Sequence, residues 1–305
     1  MRFRTDHRLL LYRALACLLL GGCISAPLTA GTAPQLPRWQ VLEFEQRAFW
    51  ATAASRVALT PAGPGQSRWL LRADSSVASN SEQVTLLLAA QDGALIQRER
   101  LSRGKKEQRY KHFDYRADHI LRERRDPQGQ SATPPGEWPL SSRREIDYPE
   151  TTDAPPITDS YALLPLADRF HAGSAASAEI LVHTDLNFYR VRMTRGHGVA
   201  VDADVQIEGG EHIAGQRSTG SVILQATPVG KLEDKPDFNL LGLYGRVTIL
   251  FDEASGLPLQ LRGTAPRVGA ANINLKAVTL RESGAPQPAT PQPATPQPAT
   301  PESDT

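Results

Sequence analysis

The feature that most constrains this chain is the alternation of apolar and polar residues with a period of two. At residues 199, 201, 203, 205 and 207, Val, Val, Ala, Val and Ile alternate with the polar residues Asp202, Asp204, Gln206 and Glu208. The same alternation recurs at Tyr189–Met193, Leu257–Arg262 and Asn272–Ala277. Successive side chains of a β-strand point to opposite faces, so each run predicts a half-buried strand. Such strands build a sheet with one wet face and one buried face.

Turn signals separate these runs at the places where hairpins would close. Five short segments end in glycine, at residues 92–93, 103–104, 126–129, 209–210 and 255–256. We count about twelve strands at short and regular spacing, which is typical of antiparallel architectures. The predicted fold class is all-β, a curved antiparallel meander with one short helical insertion. Its closure as a half-barrel, a barrel or a sandwich stays open at this stage.

The helical insertion is predicted where the period of two is lost. Apolar residues take helical spacing over residues 161–170, after the capping segment Thr158–Ser160 and before Gly173. Pro165 interrupts a single helix, so we expect two short helices, the second beginning at Pro165. The Pro- and Ser-rich residues 131–156 show no period and predict an irregular crossing between two groups of strands. Neither group alone has an obvious closed core, which favours one continuous domain.

The first 22 residues have the layout of an export signal. Four arginines precede a seven-residue apolar run, Ala14–Leu20, which is far too short to span a membrane. The string Leu20-Gly21-Gly22-Cys23 resembles the lipobox of bacterial lipoproteins. This resemblance implies acylation of Cys23 after removal of residues 1–22. The alternative is an ordinary secretory leader cut near Ala26–Ala30.

The resemblance also predicts where the protein is located. Lipoproteins kept in the inner membrane typically carry Asp after the acylated cysteine, whereas Ile24 follows Cys23 here. We therefore expect a lipid anchor in the outer membrane and a domain facing the periplasm. Cys17 and Cys23 are the two cysteines of the chain, so the region after the leader has no thiol for a disulfide or a thiolate metal site.

Composition divides the rest of the chain into three parts. Residues 23–38 are rich in Ala, Pro, Thr and Gly and predict a flexible tether. Residues 39–283 are predicted to form the β-rich periplasmic domain. In residues 284–305 the sequence Pro-Gln-Pro-Ala-Thr occurs three times in succession, which predicts a disordered tail that cannot bury a core.

Charge excludes one large class of function and leaves another open. The chain has 34 basic and 33 acidic residues, and losing residues 1–22 would change its formal charge from +1 to −2. No global basic excess points to nucleic acid. Residues 97–125, however, hold eleven basic residues against five acidic ones. This stretch predicts either contact with an anionic envelope ligand or a hairpin whose edge is protected by charge.

Motifs for catalysis and for cofactor binding do not occur in the sequence. The chain has no G-x-S-x-G, Walker or H-E-x-x-H motif, and Gly196-His197-Gly198 lacks the third glycine of a dinucleotide fingerprint. His183 and Asp185 stand two apart, as do Asp202 and Asp204, and both spacings are typical of a solvated strand face. We therefore assign no catalytic, cofactor-binding or metal-binding residue.

Four segments together resemble a known family. The runs Gly93–Arg98, Lys111–Tyr115, Asp159–Leu164 and Phe251–Leu261 are similar in order and spacing to those of exported proteobacterial β-proteins catalogued as domain of unknown function 3108. The resemblance covers most of residues 39–281. It implies an envelope β-domain and supplies neither an activity nor a catalytic residue.

Two classes of function follow from these observations. The first is a non-enzymatic binding or scaffolding module that holds a lipid-like or anionic envelope ligand. The second is an envelope hydrolase whose site assembles only in the tertiary structure. In the first case, an apolar groove beside the helical insertion would bind an acyl chain, lined by Leu163, Leu164, Val201 and Leu259. A fully packed core is the alternative to this groove.

Overall fold

One sheet and one α-helix dominate the computed structural model of the chain. The structure describes residues 36–48, 51–105, 107–129, 131–150, 156–233 and 235–281. The predicted leader, Cys23, most of the tether and the tail of residues 284–305 lie outside the described residues. Among the helices of the described part, none is long and apolar enough to cross a membrane.

The elements follow one another along the chain as eighteen strands and one α-helix in its described part. Their bounds are β1 Trp39–Ala48, β2 Ala51–Ala62, β3 Arg68–Val77, β4 Asn80–Ala89, β5 Leu95–Arg103, β6 Gln108–Tyr115, β7 His119–Arg125, β8 Leu140–Asp147, β9 Ile157–Thr158, α1 Leu163–Ala172, β10 Ser177–His183, β11 Phe188–Gly196, β12 Val201–Ile207, β13 His212–Arg217, β14 Thr219–Val229, β15 Asn239–Leu240, β16 Leu243–Asp252, β17 Pro258–Ala265 and β18 Gly269–Leu280.

The strands pair as a long meander, so the predicted all-β class is confirmed. Strands β1 to β8 pair in sequence order, β1 also pairs with β18, and the sheet continues through β17, β16, β14, β11 and β10. These pairings are antiparallel, whereas the short pairings of β9 with β10 and of β12 with β18 are parallel. All five predicted turns lie between consecutive strands. The estimate of about twelve strands was too low, because strands with few apolar residues carry no visible alternation.

The main core lies on one face of this sheet, here called the inner face. It takes buried side chains from β1–β5, from α1 and from most strands between β10 and β18. Trp39, Trp69 and Phe251 are among its largest members, each at most 1% exposed. Helix α1 packs inside this core through Leu163, Leu164 and neighbouring apolar residues.

A second, smaller core shows that the sheet is rolled over itself. On β10, Ile180 and Val182 lie in the main core. Leu181 between them points to the opposite face, which would be exposed in a single-layered sheet, yet it is buried in the second core. Leu181 packs there with Phe113 of β6 and Ile146 of β8. The inner face of β6–β8 therefore covers the outer face of β10 and β11. The expectation of one fully wet face is wrong in this overlap.

The helical insertion begins earlier than predicted. A 3₁₀ turn, Ser160–Ala162, is capped by the Asp159 carboxylate, which accepts from the Tyr161 backbone amide at 2.9 Å. Helix α1 then begins at Leu163, so Pro165 stands in its first turn rather than at its start. Proline is tolerated there because its missing N–H would have no partner within the helix. The helix ends before Gly173, as predicted.

Strand β8 corrects the prediction of an irregular crossing over residues 131–156. Seven of its eight residues are exposed, whichever face of the sheet they occupy, and Ile146 alone is buried. Such a strand has no periodic apolar signal, which is typical of a charged edge strand. Before it, Trp138 is buried and its indole N–H donates to the Thr133 carbonyl at 3.0 Å.

The two ends of the described domain are held together by Arg281. Its backbone amide donates to the Arg38 carbonyl at 2.8 Å. Its guanidinium donates to the carbonyls of Pro37, Trp39 and Leu59 at 3.3, 3.3 and 2.8 Å. The chain therefore enters and leaves the domain at one point.

Candidate functional site

The inner face changes from apolar to basic where β4 meets β5. One row of directly opposite residues runs Leu42, Val57, Ala73, Val84, Arg100, Lys111, Arg124 across β1–β7. The adjacent row runs Leu59, Leu71, Leu86, Arg98, Phe113, Arg122, Arg144 across β2–β8. Five cations of the basic stretch noticed in the sequence thus lie on the face that is otherwise the core, namely Arg98, Arg100, Lys111, Arg122 and Arg124.

Like charges directly opposite one another destabilise a sheet, so these rows require nearby acids. The acids come from other elements as well as from the strands themselves. The resulting cluster, here called the charged seam, comprises Arg98, Arg100, Lys111, Arg122, Glu82, Asp159 and Asp185. It lies where the rolled sheet overlaps itself, next to the second core.

Arg98 forms the innermost part of the charged seam. Its Nη1 donates to Asp159 Oδ2 at 2.9 Å and to the His183 carbonyl at 2.8 Å, and its Nη2 donates to the Thr184 carbonyl. The side chains of Arg98 and Asp159 are only 4% and 8% exposed. The guanidinium also lies 3.8 Å from the centre of the Phe113 ring. Arg98 therefore ties β5 to the 3₁₀ turn and to the end of β10.

His183 is fully buried, so the prediction of a solvated face is wrong for this residue. Burial, with the positive charge of Arg98 nearby, holds the pKa of His183 well below its usual range. The ring is therefore neutral. Arg98 Nη2 lies 3.4 Å from Nδ1 and can only donate, so Nδ1 is the acceptor and also accepts from the Tyr115 hydroxyl at 2.9 Å. The hydrogen then sits on Nε2, which has no hydrogen-bond partner among the described residues. Phe113 and Phe188 lie against the ring at centroid distances of 5.7 and 4.8 Å.

Asp185 forms ion pairs with two cations at the more exposed end of the charged seam. Lys111 Nζ donates to Asp185 Oδ2 at 2.5 Å, and Arg122 Nε donates to Oδ1 at 3.0 Å. Burial alone would raise the pKa of Asp185, but Lys111 and Arg122 hold it far below its usual range. Burial lowers the pKa of Lys111, and Asp185 only partly opposes this. One carboxylate shared by two cations leaves a local excess of one positive charge.

The turn that carries Asp185 is held by a second carboxylate, that of Asp237. Asp237 Oδ1 accepts from Thr184 Oγ1 at 2.9 Å, from Asn187 Nδ2 at 2.9 Å and from the Tyr189 hydroxyl at 3.0 Å. The Asp185 backbone amide donates to Asp237 Oδ2 at 3.4 Å. These bonds fix the position of Asp185 opposite β6 and β7.

Glu82 closes the seam on the side of the main core. Its Oε2 accepts from Arg100 Nε at 2.9 Å and Nη2 at 2.5 Å, and its Oε1 accepts from the Tyr161 hydroxyl at 3.3 Å. Burial acts to lower the pKa of Arg100, but the charge and the hydrogen bond of Glu82, together with Tyr161 and Asp185, raise it overall. Arg100 and Glu82 keep 35% and 26% of their side chains exposed, so this pair is accessible to solvent.

His183 and Tyr115 form an imidazole–phenol pair at the buried end of the charged seam. The His183 ring also contacts the Arg98 guanidinium, and burial raises the pKa of the Tyr115 phenol, which keeps that hydroxyl protonated. In the described ranges, no group of three or more His, Cys, Asp or Glu side chains could hold a metal ion. Three clefts on the surface have volumes of about 410, 430 and 450 Å³, and none is lined by Arg98, His183 or Asp185.

The residues predicted to line an acyl-chain groove lie in the main core. Leu163, Leu164, Val201 and Leu259 are each at most 4% exposed. The structure separates them into two pairs, because Leu163 and Leu164 stand on α1, whereas Val201 and Leu259 meet at one of the three clefts. That cleft is lined mostly by polar residues. Asp202 and Asp204 are exposed, as predicted.

Sequence reasoning missed the partners of the charged seam. Asp159 was interpreted as a helix cap, and its second oxygen also binds Arg98, 61 residues away. Asp237 was not singled out, and its three side-chain donors lie 48 to 53 residues away. No local signal marks Arg98, because the buried residues of β5 follow no period of two and the position of Arg98 opposite Leu86 is set by the register between strands.

Comparisons with known proteins give a distant likeness only. No family model matches the chain, and no curated protein matches it. Among solved structures, the chain is similar to a β-barrel-like protein of a domain of unknown function, DUF1849, from Brucella abortus. The TM-score is 0.47 and the identity 8%, over 82% of this chain and 100% of that one. This likeness assigns neither an activity nor a site residue, and the resemblance to domain of unknown function 3108 stays a prediction.

Proposed function

We propose that this chain is an outer-membrane lipoprotein of the exported β-rich type, acylated at Cys23, whose domain binds an anionic envelope ligand without chemical turnover. Its leader, with a lipobox-like end, supports the anchor. The charged seam supports the ligand class. We infer that the ligand carries phosphate groups, as lipid headgroups and envelope polymers do.

The observation that carries this proposal is the sharing of Asp185 by Lys111 and Arg122. Arg100, Lys111 and Arg124 are also directly opposite one another on three neighbouring strands. Three cations in one row are costly for stability alone, since an apolar row would continue the core. A bound phosphate would supply the charge that the shared carboxylate leaves uncompensated.

Partial exposure makes exchange with such an anion feasible. The side chains of Arg100 and Arg124 keep 35% and 34% of their surface, whereas Lys111 and Arg122 keep 16% and 11%. The ion pairs of the two more exposed arginines contribute on the order of 1 kcal/mol each, so an external phosphate can compete for those first. Arginine and lysine both bind phosphate by charge-assisted hydrogen bonds.

The test measures binding to vesicles with and without anionic lipid. The full chain carrying Cys23→Ala is used, so that no acyl anchor contributes. We expect binding to phosphatidylglycerol vesicles and none to phosphatidylcholine vesicles, weakening with salt. Lys111→Gln should reduce affinity roughly five-fold, the effect of about 1 kcal/mol per cation near an anionic surface. Arg192→Gln is the matched control, because Arg192 is exposed on the outer face of β11.

A second variant tests whether Lys111 and Arg122 bind the external anion or only hold the fold together. Asp185→Asn keeps the shape of the side chain and removes the internal anion that occupies Lys111 and Arg122. We expect tighter vesicle binding than in the parent chain. Unchanged or weaker binding, or equal effects of Lys111→Gln and Arg192→Gln, would refute the anionic site. Inorganic polyphosphate in place of vesicles distinguishes a free polymer from a lipid surface.

The anchor is tested separately by fractionation of cells. Cys23→Ala should release the protein into the soluble periplasmic fraction, because multiple acyl chains give stable anchoring. Ser25→Ala serves as control for a change near the cleavage point. A Cys23→Ala protein that still sediments with outer membranes contradicts acylation at this residue.

A further inference from the structure

The sheet forks at β18, because two strands share one of its edges. Glu45 of β1 and Gln260 of β17 both pair with Asn274, so they lie on opposite edges of β18. Farther along, β1 pairs with Ala277 on its own edge, and Gln206 of β12 pairs with the same residue. Strands β17 and β12 therefore occupy the same edge of β18 in succession and diverge from it.

A cleft of about 430 Å³ lies between the two prongs of this fork. Val201 of β12 and Leu259 of β17 line it, and both are almost fully buried. Polar residues of both charges surround them, including Asp202 on one prong and Arg262 on the other. The fork cleft thus has a mostly polar lining with a rim of mixed charge and exposes little apolar surface.

The backbone of β12 presents free hydrogen-bonding groups to the fork cleft. The Ile207 amide donates to Glu211 at the turn into β13, whereas the Glu208 amide donates to Val278 of β18. Because backbone groups alternate in direction along a strand, those of Asp202 and Asp204 point to the same side as Glu208. The pairing of β12 with β18 ends at Gln206. In the part of the chain that the structure describes, no strand pairs with this edge at Asp202 and Asp204.

We propose that the fork cleft binds an extended peptide segment of a partner protein, which adds a strand to the free edge of β12. The amide and carbonyl groups of Asp202 and Asp204 repeat at two residues, about 6.8 Å, which matches the repeat of an extended chain. An acyl chain offers no partner for these groups, so the edge favours a peptide over a lipid. The rim of mixed charge fits a segment with both acidic and basic side chains.

Proline substitution tests the edge itself. Asp204→Pro removes the amide that faces the fork cleft and leaves the pairing with β13 intact, since that amide points away from β13. Asp204→Ala is the matched control, because it loses the same carboxylate and its ion pair with Lys276 but keeps the amide. Asp202→Pro and Asp202→Ala repeat the comparison at the next position. Circular dichroism and the thermal midpoint verify that each variant is folded.

The probe is a library of random 12-residue peptides displayed on phage and selected against the full chain carrying Cys23→Ala. Synthetic versions of the enriched peptides should bind the parent chain and Asp204→Ala with similar affinity, and folded Asp204→Pro or Asp202→Pro at least ten-fold more weakly. Bound peptide should also slow amide exchange at Asp202 and Asp204. Lack of enrichment, or equal binding to the proline and alanine variants, would overturn the proposal. Concentration-dependent self-association lost in the proline variants would also overturn it, because the occupant would then be a second copy of the chain.

Discussion

Asp168 makes the stability of the domain depend on pH in a way that a single substitution should remove. This carboxyl stands on α1 among core residues, and its described hydrogen bond comes from the Trp39 indole N–H at 3.1 Å. Burial raises its pKa from 3.8 to about 6, and the Trp39 bond only partly opposes the shift. A folded-state pKa above the unfolded value means that the native protein binds the proton more tightly. The associated stability is present below about pH 4 and is lost as pH rises through 6.

The shift sets the size of the expected effect. About two pKa units correspond to about 3 kcal/mol, an upper bound for a partly buried group. Asp168→Asn keeps an oxygen acceptor for Trp39 and abolishes the charge. Relative to its effect at pH 4, the substitution should therefore stabilise the domain at pH 8 by roughly 2–3 kcal/mol. In a domain of this size, that is a rise in the thermal midpoint of roughly 4–12 °C.

Urea unfolding of parent and variant at several pH values between 4 and 8 measures this difference directly. The difference between the two free energies of unfolding should grow as the pH rises from about 4 to about 6 and stay constant at higher pH. Asp92→Asn, at an exposed turn, is the control for loss of one carboxylate. Parallel curves for the parent and Asp168→Asn would show that the carboxyl is ionised in the native state at no cost, and would refute the reasoning.

Three further predictions concern other parts of the molecule. Arg98→Met leaves Asp159 buried without its cation, so urea unfolding should show a loss of about 3–5 kcal/mol. Gly93→Ala should also destabilise the domain, by at least about 1 kcal/mol in the same assay, because Gly93 has φ +77° and an added Cβ would lie 2.9 Å from Leu166. Deleting residues 285–305 should leave the thermal midpoint unchanged within error, since this segment has no apolar period; a clear drop by calorimetry would contradict its assignment as a dispensable tail.

The sequence predicted best the strands that bury one face and expose the other. Strand β12 shows strict alternation of buried and exposed residues over Val201–Ile207, within the predicted run, whereas Val199 is exposed and lies before the strand. Strand β8 has one buried residue and was missed. The difference is physical, because periodicity reports burial, and a strand at the edge of a sheet buries too little to produce it.

From the sequence, only the excess of basic residues in the charged seam could be predicted, and not the position of these residues in the fold. The excess of basic residues at positions 97–125 was visible, but their position on the inner face follows from register across several strands. His183 was misassigned for a related reason. Its burial comes from the roll of β6–β8 over β10, which brings together residues about 70 positions apart. Such an overlap cannot be predicted from the residues that neighbour His183 in the sequence.

The hydrogen bonds of Arg281, which hold the two ends of the domain together, determine how the domain would respond to mechanical load. Strands β1 and β18 are antiparallel, and Trp39 at the start of one pairs with Leu280 at the end of the other. A force that pulls the two chain ends apart acts on the same end of this ladder. Its hydrogen bonds would then break one after another, as in a zipper, instead of sharing the load as in shear. Tension applied to residues 38 and 281 would first release Arg281 and then separate β1 from β18 one hydrogen bond at a time, at a force far below that needed to slide the strands past each other.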